Sequence, residues 1–273
     1  MTDRRTTPAT ARVALARLAG MIDRPAYTEG RPARVAVPLT DLCRAPGGAR
    51  DRQLLFGVEV TVIDSEDGWS FVESEDDYCG WVADASLTDS RPAVTHRVSA
   101  PATHVYLEPD IKRGEVMSLP LGARLAGTGN EGRFLRLAGG GFVPLVHVSD
   151  TPAADPVAVA ESLIGTPYLW GGNSRWGIDC SGLVQVSLHA CGIDCPGDSD
   201  QQFAELGEPV DDAPQRGDLV FWSGHVAMVA GPDRIIHANG HDMAVAFDGL
   251  RKVRARISAA GEGAFLGLRR LTG

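Results

Sequence analysis

Residues 31–148 carry two successive sets of short apolar runs in the same order. The first set, "VAVPLTDLCRAPG", "LLFGVEVTV", "GWSFVE" and "YCGWV", is matched in order by "VSAPATHVYLEPD", "SLPLGARLA", "GRFLRLA" and "GGFVPL". Turns rich in Gly, Asp and Pro separate the runs, which is typical of the strands of small all-β barrels. Because four segments correspond in one order, the sequence indicates an internal duplication. It therefore predicts two small all-β barrels in tandem.

The segments on either side of this duplication have a different pattern. Residues 12–22, "RVALARLAGMI", have near-helical apolar spacing and predict a short N-terminal helix or a docking segment. After the Pro-bearing joint "SDTPAADP", the stretch "PVAVAESLIG" predicts a helix stopped by Gly165. A longer helix candidate and three strand candidates follow, which predicts an α+β domain. The predicted divisions are an N-terminal segment with a short helix at 1–30, barrels at 31–92 and 93–150, and a third domain at 151–273.

Composition and charge exclude some classes of function. The chain of 273 residues is 44% hydrophobic and 22% charged, as in soluble globular proteins, and its formal net charge is −9. No basic stripe is present to replace phosphate counterions, so a nucleic-acid partner is disfavoured. The acidic clusters "DSEDGW" and "ESEDDY" are open to two interpretations. They solvate hairpin turns, which we favour, or they draw a cationic ligand toward a cleft.

The N-terminal stretch and the cysteines bear on the compartment. Arg12, Arg17 and Arg24 interrupt every apolar run near the N-terminus, so no secretory or membrane-spanning segment is predicted. We therefore expect a cytoplasmic protein with no membrane partner. The odd number of cysteines agrees with a reducing compartment, because at least one thiol stays unpaired. The five are Cys43, Cys79, Cys180, Cys191 and Cys195.

One cysteine stands at a predicted helix start. In "GIDCSGLVQVSLHA", Asp179 and Ser181 suit an N-terminal turn, and an apolar face follows Cys180. The unpaired N–H groups and the positive end of the helix dipole would lower the pKa of that thiol and favour the thiolate. For Cys180 alone, a buried structural cysteine is the competing interpretation. Partner residues are needed to decide between the two.

Two histidines lie in later strand candidates. His225 begins "HVAMVAG" and His237 lies in "RIIHANG". Cysteine catalysis needs an imidazole near the sulfur and a third polar group that orients the imidazole. If residues 231–233 form a three-residue turn, His237 is opposite Ala227 and shares a sheet face with His225. A two-residue turn would put the rings on different faces, so catalysis predicts a turn of odd length.

The third domain also carries a family resemblance. The segments "GTPYLWGGNSRWGIDCSGLVQ", "PGDSDQQ", "RGDLVFWSGHVAMVAG" and "RIIHANG", in this order, resemble the NlpC-type family of bacterial cell-wall cysteine peptidases over residues 157–273. That family has a papain-like fold. With two preceding SH3-like barrels, the chain is similar to the subfamily of γ-D-glutamyl-L-diamino-acid endopeptidases of the dipeptidyl-peptidase VI type. The resemblance implies two SH3-like barrels followed by an α+β papain-like catalytic domain.

The resemblance also implies roles for individual residues. Cys180 would be the nucleophile, His225 the general base and His237 the residue that orients it. The hydroxyl of Tyr168 would help the Cys180 backbone N–H to stabilise the oxyanion. The predicted substrate-binding residues are Asp198 and Ser199, which would hold the free amine and the peptide backbone, Tyr78 of the first barrel, and Asp179, Ser181 and Trp170.

Structural interpretations compete with these roles. Tyr168 would then only pack beside Trp170, Tyr78 would be an ordinary barrel aromatic, and Asp198 would cap the helix that starts near "SDQQFAELG". In "HACGIDC", Cys191 and Cys195 have no second ligand pair at zinc-finger spacing, so no metal is predicted. No cofactor is predicted either.

The predicted function follows from these residues and the resemblance. It is a cysteine endopeptidase that cleaves the γ-D-Glu–L-diamino acid bond of murein peptides with a free N-terminal L-Ala, in peptidoglycan recycling. One alternative is an amidase or acyltransferase on the same scaffold. Another is a non-catalytic peptide-binding module whose barrels bind the ligand. The sequence leaves the preferred diamino acid, the role of the second barrel and the oligomeric state undetermined.

Overall fold

The chain divides into two compact units. The structure is a computed structural model and describes residues 3–271. Contacts within the chain separate a first unit that ends at Asp150 from a second that begins at Thr151. Among the described residues, all four α-helices lie in the second unit and the first is built of strands and short 3-10 helices. The predicted boundaries after residues 30 and 92 stay predictions. Within the described part of the chain, no helix combines the length and the apolar composition needed to cross a membrane.

The first unit begins with a small parallel ribbon and a seven-stranded antiparallel sheet. The sheet has the order β5-β4-β8-β7-β6-β3-β9. Its core is a cluster of alternating apolar side chains that includes Leu42, Val72 and Tyr78. The strands are β1 Val13–Leu15, β2 Ala26–Thr28, β3 Arg31–Val35, β4 Leu39–Cys43, β5 Arg50–Leu55, β6 Glu59–Glu66, β7 Trp69–Ser74, β8 Cys79–Ala83 and β9 Leu87–Thr88, with 3-10 helices at Arg4–Thr6, Ala16–Leu18 and Asp84–Ser86.

The N-terminal segment is a docking segment, and the helix predicted over residues 12–22 is wrong. Strand β1 pairs with β2, and a 3-10 helix over Ala16–Leu18 follows. Leu15 packs in a cluster with Ile63 and Phe71, so tertiary packing overrides the local helical spacing. Ion pairs from arginines of this segment to acidic residues of the sheet add to the docking: Arg4–Asp51, Arg12–Asp64, Arg12–Glu66 and Arg17–Glu73.

These ion pairs also decide between the two interpretations of the acidic clusters. Asp64 and Glu66 of "DSEDGW" pair with Arg12, and in "ESEDDY" Asp76 pairs with Arg52 at 2.6 Å. Asp67 and Asp77 adopt positive φ angles of 49° and 61° in the turns. The clusters therefore form turns and intramolecular ion pairs, which leaves little of their charge for attracting a cationic ligand.

A second group of strands in the first unit repeats the order of the first. A five-stranded sheet has the order β12-β11-β16-β15-β14, and a three-stranded sheet has the order β13-β10-β17. A separate apolar cluster that includes Val105, Leu119 and Leu135 fills its core. The strands are β10 His96–Val98, β11 Ala102–Tyr106, β12 Glu115–Pro120, β13 Arg124–Leu125, β14 Gly127–Glu131, β15 Phe134–Leu137, β16 Phe142–Pro144 and β17 Val148–Ser149, with a 3-10 helix at Leu145–His147.

The second unit combines helices with a six-stranded antiparallel sheet. The sheet has the order β20-β25-β21-β22-β23-β24, and β18 and β19 form a separate two-stranded ribbon. Helix α1 begins at Pro156, as predicted, with Asp155 as its N-cap. The elements are α1 Pro156–Glu161, β18 Asn173–Ser174, β19 Gly177–Ile178, α2 Cys180–Ala190, α3 Ser199–Glu205, β20 Glu208–Val210, β21 Leu219–Trp222, β22 His225–Gly231, β23 Arg234–Asn239, β24 Ala244–Gly249, α4 Leu250–Ala260 and β25 Phe265–Arg270.

Helix α2 is the buried central helix of this unit. It begins at Cys180, as predicted, and every residue from Cys180 to Leu188 is buried. The helix packs against β22 and β23. At Gly182 a Cβ atom would lie 2.4 Å from the carbonyl oxygen of Gly172, so only glycine allows this close approach. The approach brings the first turn of α2 against the loop that precedes β18.

The β22–β23 hairpin places the two histidines. The predicted three-residue turn is wrong, because Gly231 pairs with Arg234 across a two-residue turn. A β-bulge at Ala230 compensates, so that Val229 is opposite Ile235 and Met228 is opposite Ile236. One residue further, this register puts Ala227 opposite His237, and His225 therefore shares the face of His237. The predicted common face is confirmed, although a bulge produces it rather than an odd turn.

Candidate active site

The first turn of α2 is held by Asp179. This residue is the N-cap, and its Oδ1 accepts the backbone N–H of Gly182 at 2.7 Å. The other oxygen, Oδ2, accepts the backbone N–H of Gly171 at 2.7 Å, and the Ser181 hydroxyl donates to Oδ1 at 3.2 Å. Burial raises the pKa of this carboxyl, which the three hydrogen bonds oppose. Asp179 and Ser181 thus fix the cysteine, and their predicted contact with substrate stays a prediction.

The Cys180 thiol lies in a dry environment. Burial raises its pKa to about 12, and the charge of Asp179 acts in the same direction. Hydrogen bonds from the backbone N–H groups of Val226, Ser181 and Cys180 oppose this rise. The lowering of the pKa that the sequence predicts is therefore wrong, because desolvation outweighs the helix N-terminus. The thiol keeps its proton at neutral pH, and a base is needed to remove it.

The two histidines form a hydrogen-bonded pair. His225 Nε2 and His237 Nδ1 are 2.9 Å apart, and the ring centroids are separated by 5.1 Å. Burial lowers the pKa of His225 to about 3 and that of His237 to about 4. Both rings are therefore neutral at physiological pH. Because Nε2 of His225 is engaged by His237, Nδ1 is the nitrogen left to receive a thiol proton.

Tyr168 lies close enough to Cys180 to interact with its charge. Burial raises the pKa of the Tyr168 phenol, and the charges of Cys180 and Asp179 raise it further. The phenol is therefore a protonated hydrogen-bond donor at neutral pH. The backbone N–H of Tyr168 donates to the Met243 carbonyl at 2.9 Å, which anchors the loop that contains Tyr168. Trp170, by contrast, is 65% exposed, and its predicted contact with substrate stays a prediction.

Asp198 does cap a helix, as one interpretation held. It is the N-cap of α3 and forms a capping box with Gln201, whose Oε1 accepts the Asp198 backbone N–H at 3.2 Å. Burial raises the pKa of Asp179, and the charge of Asp198 raises it further. Ser199, half-buried, is the first residue of α3. Their binding of an amine and a peptide backbone stays a prediction.

Tyr78 belongs to the core of the first unit. It is 2% exposed and packs in the apolar cluster with Leu42 and Val72. The guanidinium of Arg52 lies 5.0 Å from its ring centroid, as in a cation–π contact. This is the role of a barrel aromatic. The further role at the cleft that the resemblance implies stays a prediction.

Three residues near the site were not singled out from the sequence. Trp222 pairs with His225 across β21 and β22, and their ring centroids are 5.6 Å apart. Gln202 donates to the carbonyl of Ser181 at 3.0 Å and ties α3 to the start of α2. Asp248 lies in β24, beside the strand of His237. Trp222 and Gln202 lie within the sequence segments that resemble the NlpC-type family, whereas only the pairing of β24 with β23 could have revealed Asp248.

Comparisons with known proteins agree with this geometry. Residues 165–256 match the model of the NlpC/P60 family, and residues 42–87 match the bacterial dipeptidyl-peptidase Sh3 domain. A gamma-D-glutamyl-L-lysine dipeptidyl-peptidase of Bacillus subtilis (strain 168) is 32% identical over 68% of this chain and 71% of its own length. The chain belongs to the NlpC/P60 family. A gamma-D-glutamyl-L-lysine dipeptidyl-peptidase of Bacillus cereus is 30% identical over 69% of this chain and 67% of its own length.

Membership of the NlpC/P60 family establishes the class of protein. The chain is a cysteine peptidase with an SH3-like domain before its NlpC/P60 catalytic domain. A solved structure of an NlpC/P60 family protein from Bacillus cereus ATCC 10987 superimposes with a TM-score of 0.76. It is 24% identical, and the match covers 89% of this chain and all of that one. This structural similarity supports the fold over 89% of this chain.

One group of side chains in the NlpC/P60 domain could share a cation. Within residues 3–271, His237, Asp242 and Asp248 each offer a ligand atom, and these atoms lie within 4.8 Å of one another. Asp248, however, already accepts from Arg256 at 2.8 Å and lies 3.3 Å from the Lys252 ammonium. A cation would have to compete with both. Cys195 is engaged elsewhere, since its sulfur accepts from Gln202.

The neutral histidines predict a loss of stability in mild acid. Both have folded-state pKa values below 6.5, so between pH 7 and pH 5 the unfolded chain takes up protons that the folded chain refuses. We expect the free energy of unfolding of the second unit to fall by up to about 2 kcal/mol per histidine over that range. Urea unfolding at the two pH values measures it. His237→Asn should remove about half of the fall, and an unchanged fall in that variant would contradict the assignment.

Proposed function

We propose that Cys180 is the nucleophile, His225 the general base and His237 the residue that orients His225. The hydrogen bond of 2.9 Å between His225 Nε2 and His237 Nδ1 is the observation that carries this proposal. It leaves the second nitrogen of His225 available on strand β22, against which the helix of Cys180 packs. A buried thiol with a raised pKa and a buried, neutral imidazole form a matched donor and acceptor.

The proposed reaction has two stages, formation of a thioester on Cys180 and hydrolysis of that thioester. As the sulfur attacks the carbonyl carbon, its proton passes to Nδ1 of His225, so the imidazolium forms while the negative charge moves to the carbonyl oxygen. His225 returns that proton to the leaving amine, which breaks the peptide bond and leaves a thioester on Cys180. Water, deprotonated by the same ring, hydrolyses the thioester. Trp222, 2% exposed and against the His225 ring, keeps bulk water from that side of the base.

Two hydrogen-bond donors suit the oxyanion of the tetrahedral intermediate. The backbone N–H of Cys180, in the first turn of α2, has no partner within the helix and lies beside the sulfur. The Tyr168 phenol, whose pKa is raised by burial, is the second. Both donors keep their protons through the reaction, so charge that develops on the substrate oxygen meets fixed dipoles.

We propose that the substrate is a murein peptide cleaved between γ-D-Glu and an L-diamino acid. Two relatives that cover more than two thirds of this chain are gamma-D-glutamyl-L-lysine dipeptidyl-peptidases, and a third is named dipeptidyl-peptidase 6. In this chain Gln202 ties α3, which Asp198 caps, to the start of α2, so Asp198 offers a carboxylate to a cation on that side of the site. A free N-terminal amine of L-Ala is such a cation. An enzyme that needs this amine acts on released peptides, which is the requirement of peptidoglycan recycling.

We further propose that the second group of strands is a second SH3-like barrel and that the catalytic domain is papain-like. The order β5-β4-β8-β7-β6-β3-β9 is matched by β12-β11-β16-β15-β14 and β13-β10-β17, with the single strand β6 matched by the two strands β14 and β13. This correspondence supports the internal duplication. A cysteine at the start of a helix that packs on an antiparallel sheet bearing the histidine supports the papain-like arrangement.

The proposed substrate is tested by measuring whether the enzyme requires a free N-terminal amine. We expect kcat/KM for L-Ala-γ-D-Glu-L-Lys to exceed that of its N-acetyl form by at least about tenfold, because acetylation removes the charge. Asp198→Asn keeps a helix-capping side chain and removes only the charge, so it should narrow this ratio. Asp200→Asn, exposed on the same turn of α3, is the matched control.

Mass spectrometry of the products measures both peptides and identifies the bond cleaved. The same measurement is made on L-Ala-γ-D-Glu-diaminopimelate and on intact peptidoglycan. Equal rates on the free and acetylated peptides would overturn the amine requirement and return Asp198 to helix capping alone.

A further inference from the structure

Asp248 extends the line of the two histidines across the sheet. Ala246 of β24 is opposite His237 of β23. Asp248 is two residues further along β24 and therefore lies on the same face as Ala246 and His237. His225, His237 and Asp248 thus occupy three adjacent strands and form one diagonal. The base, its orienting residue and a carboxylate succeed one another in space.

His237 has one ring nitrogen that needs a partner. The residue is 1% exposed, and within the described chain its Nε2 atom is buried without a hydrogen-bond partner. Oxygens of Asp242 and Asp248 lie within 4.8 Å of a ring nitrogen of His237. One bridging water spans about 4.5 Å between two polar atoms, since each hydrogen bond measures about 2.8 Å. Because Nδ1 of His237 is engaged by His225, a carboxylate linked to this ring by one water would meet it at Nε2.

Catalysis requires this nitrogen to be the one that carries the proton. This step rests on the proposed function. For Nδ1 of His225 to accept the Cys180 proton, Nε2 of His225 must carry a hydrogen and donate it to His237. Nδ1 of His237 must then be bare, and in a neutral ring the hydrogen is on Nε2. The opposite tautomer of His237 would leave His225 with a protonated Nδ1 and no basic function.

Of the two carboxylates, Asp248 is the better acceptor for that hydrogen. Its side chain is 6% exposed and is kept ionised by Arg256, whose hydrogen bond lowers the pKa of the carboxyl. Its charge acts on His237 more strongly than that of Asp242 does. Asp242 is exposed and accepts from the Asn239 amide at 3.1 Å. Solvent therefore weakens any interaction of Asp242 with the ring.

We propose that Asp248 is a positioning residue of the peptidase, which accepts the Nε2 hydrogen of His237 through one bridging water and so holds the tautomer that makes His225 a base. Asp248 acts through His237 and touches no reacting atom. It also stabilises the positive charge that reaches the histidine pair when His225 takes the thiol proton, as the carboxylate of a catalytic triad does.

The test compares two substitutions of similar volume. Asp248→Leu removes the acceptor, whereas Asp248→Asn keeps an oxygen that can accept. We expect Asp248→Leu to lower kcat about tenfold with KM within about twofold, and Asp248→Asn, which keeps an acceptor but loses the charge, to have a smaller loss of kcat than Asp248→Leu. Arg256→Gln removes one of the two cations beside the carboxylate and leaves Lys252, 3.3 Å from Asp248, so it is the control for lost stability and should keep most of the activity.

Nitrogen NMR of isotope-labelled histidine reads the tautomer without any turnover. We expect His237 to carry its proton on Nε2 in the parent protein, and the population of the other tautomer to rise in Asp248→Leu. An unchanged tautomer together with unchanged kcat in Asp248→Leu overturns the role of Asp248. That result leaves the proposed function intact if Cys180→Ala and His225→Ala are inactive, so the two failures are distinguishable.

Discussion

Replacing Cys180 by alanine is expected to lower kcat for the γ-D-Glu peptide by at least about 10⁴-fold. The substitution removes the sulfur that forms the thioester, while the hydrogen bonds of Asp179 to the first turn of α2 remain. The fold and peptide binding should therefore survive. Turnover of L-Ala-γ-D-Glu-L-Lys, followed by mass spectrometry, measures the loss, and thermal unfolding checks the fold.

A control for this variant is available in the same helix. Cys191 is half-buried and is the C-cap of α2, at the opposite end from Cys180. Cys191→Ala should keep kcat within about twofold, because its sulfur is remote from the His225 ring. If Cys180→Ala retained more than about 1% of the activity, the peptide would be cleaved by other means and the nucleophile would be misassigned.

The second large effect concerns the two histidines, which are expected to differ. His225→Ala removes the base and should lower kcat by about 10³-fold or more. His237→Ala keeps the base but loses the hydrogen bond of 2.9 Å that orients it, so we expect a loss of about 10- to 100-fold. Single-turnover measurements separate the acylation step from release of product.

His241 is the matched control for these substitutions. It lies exposed in the loop between β23 and β24, and the change His241→Ala removes an imidazole close to the site without touching the pair. Its kcat should stay within about twofold of the parent value. Equal effects of His225→Ala and His237→Ala would contradict the division of roles, and a His225→Ala variant with near-normal kcat would exclude that ring as the base.

Local sequence signals predicted part of the site correctly. Asp179, Cys180 and the apolar residues that follow carry a helix start in themselves, because the cap, the first turn and the inward face are adjacent in the chain. The common face of His225 and His237 was predicted from strand alternation and an odd turn, whereas the structure reaches it through a two-residue turn and a bulge. Signals of this kind depend on neighbours within about a dozen positions.

Other properties depend on contacts that no local pattern contains. The pKa of Cys180 rises because the whole domain excludes water from the sulfur, and this outweighs the helix end. Residues 12–22 have helical spacing, yet Leu15 packs on Ile63 and Phe71 as part of a strand. Asp248 in "AVAFDG" is an ordinary acid near a strand end, and only the pairing of β24 with β23 brings it beside His237.

The bulge at Ala230 couples the length of the hairpin turn to the face of the sheet on which His237 lies. The carbonyl of Ala230 accepts a hydrogen bond from the Arg216 guanidinium at 3.0 Å, which holds the extra residue in place. Beyond it, the turn at Pro232 and Asp233 is exposed. A change of one residue in the length of this turn would need the gain or loss of a bulge to keep His225 and His237 on one face. An alignment that places its gap on the wrong side of this bulge would match His237 with a residue that points out of the site.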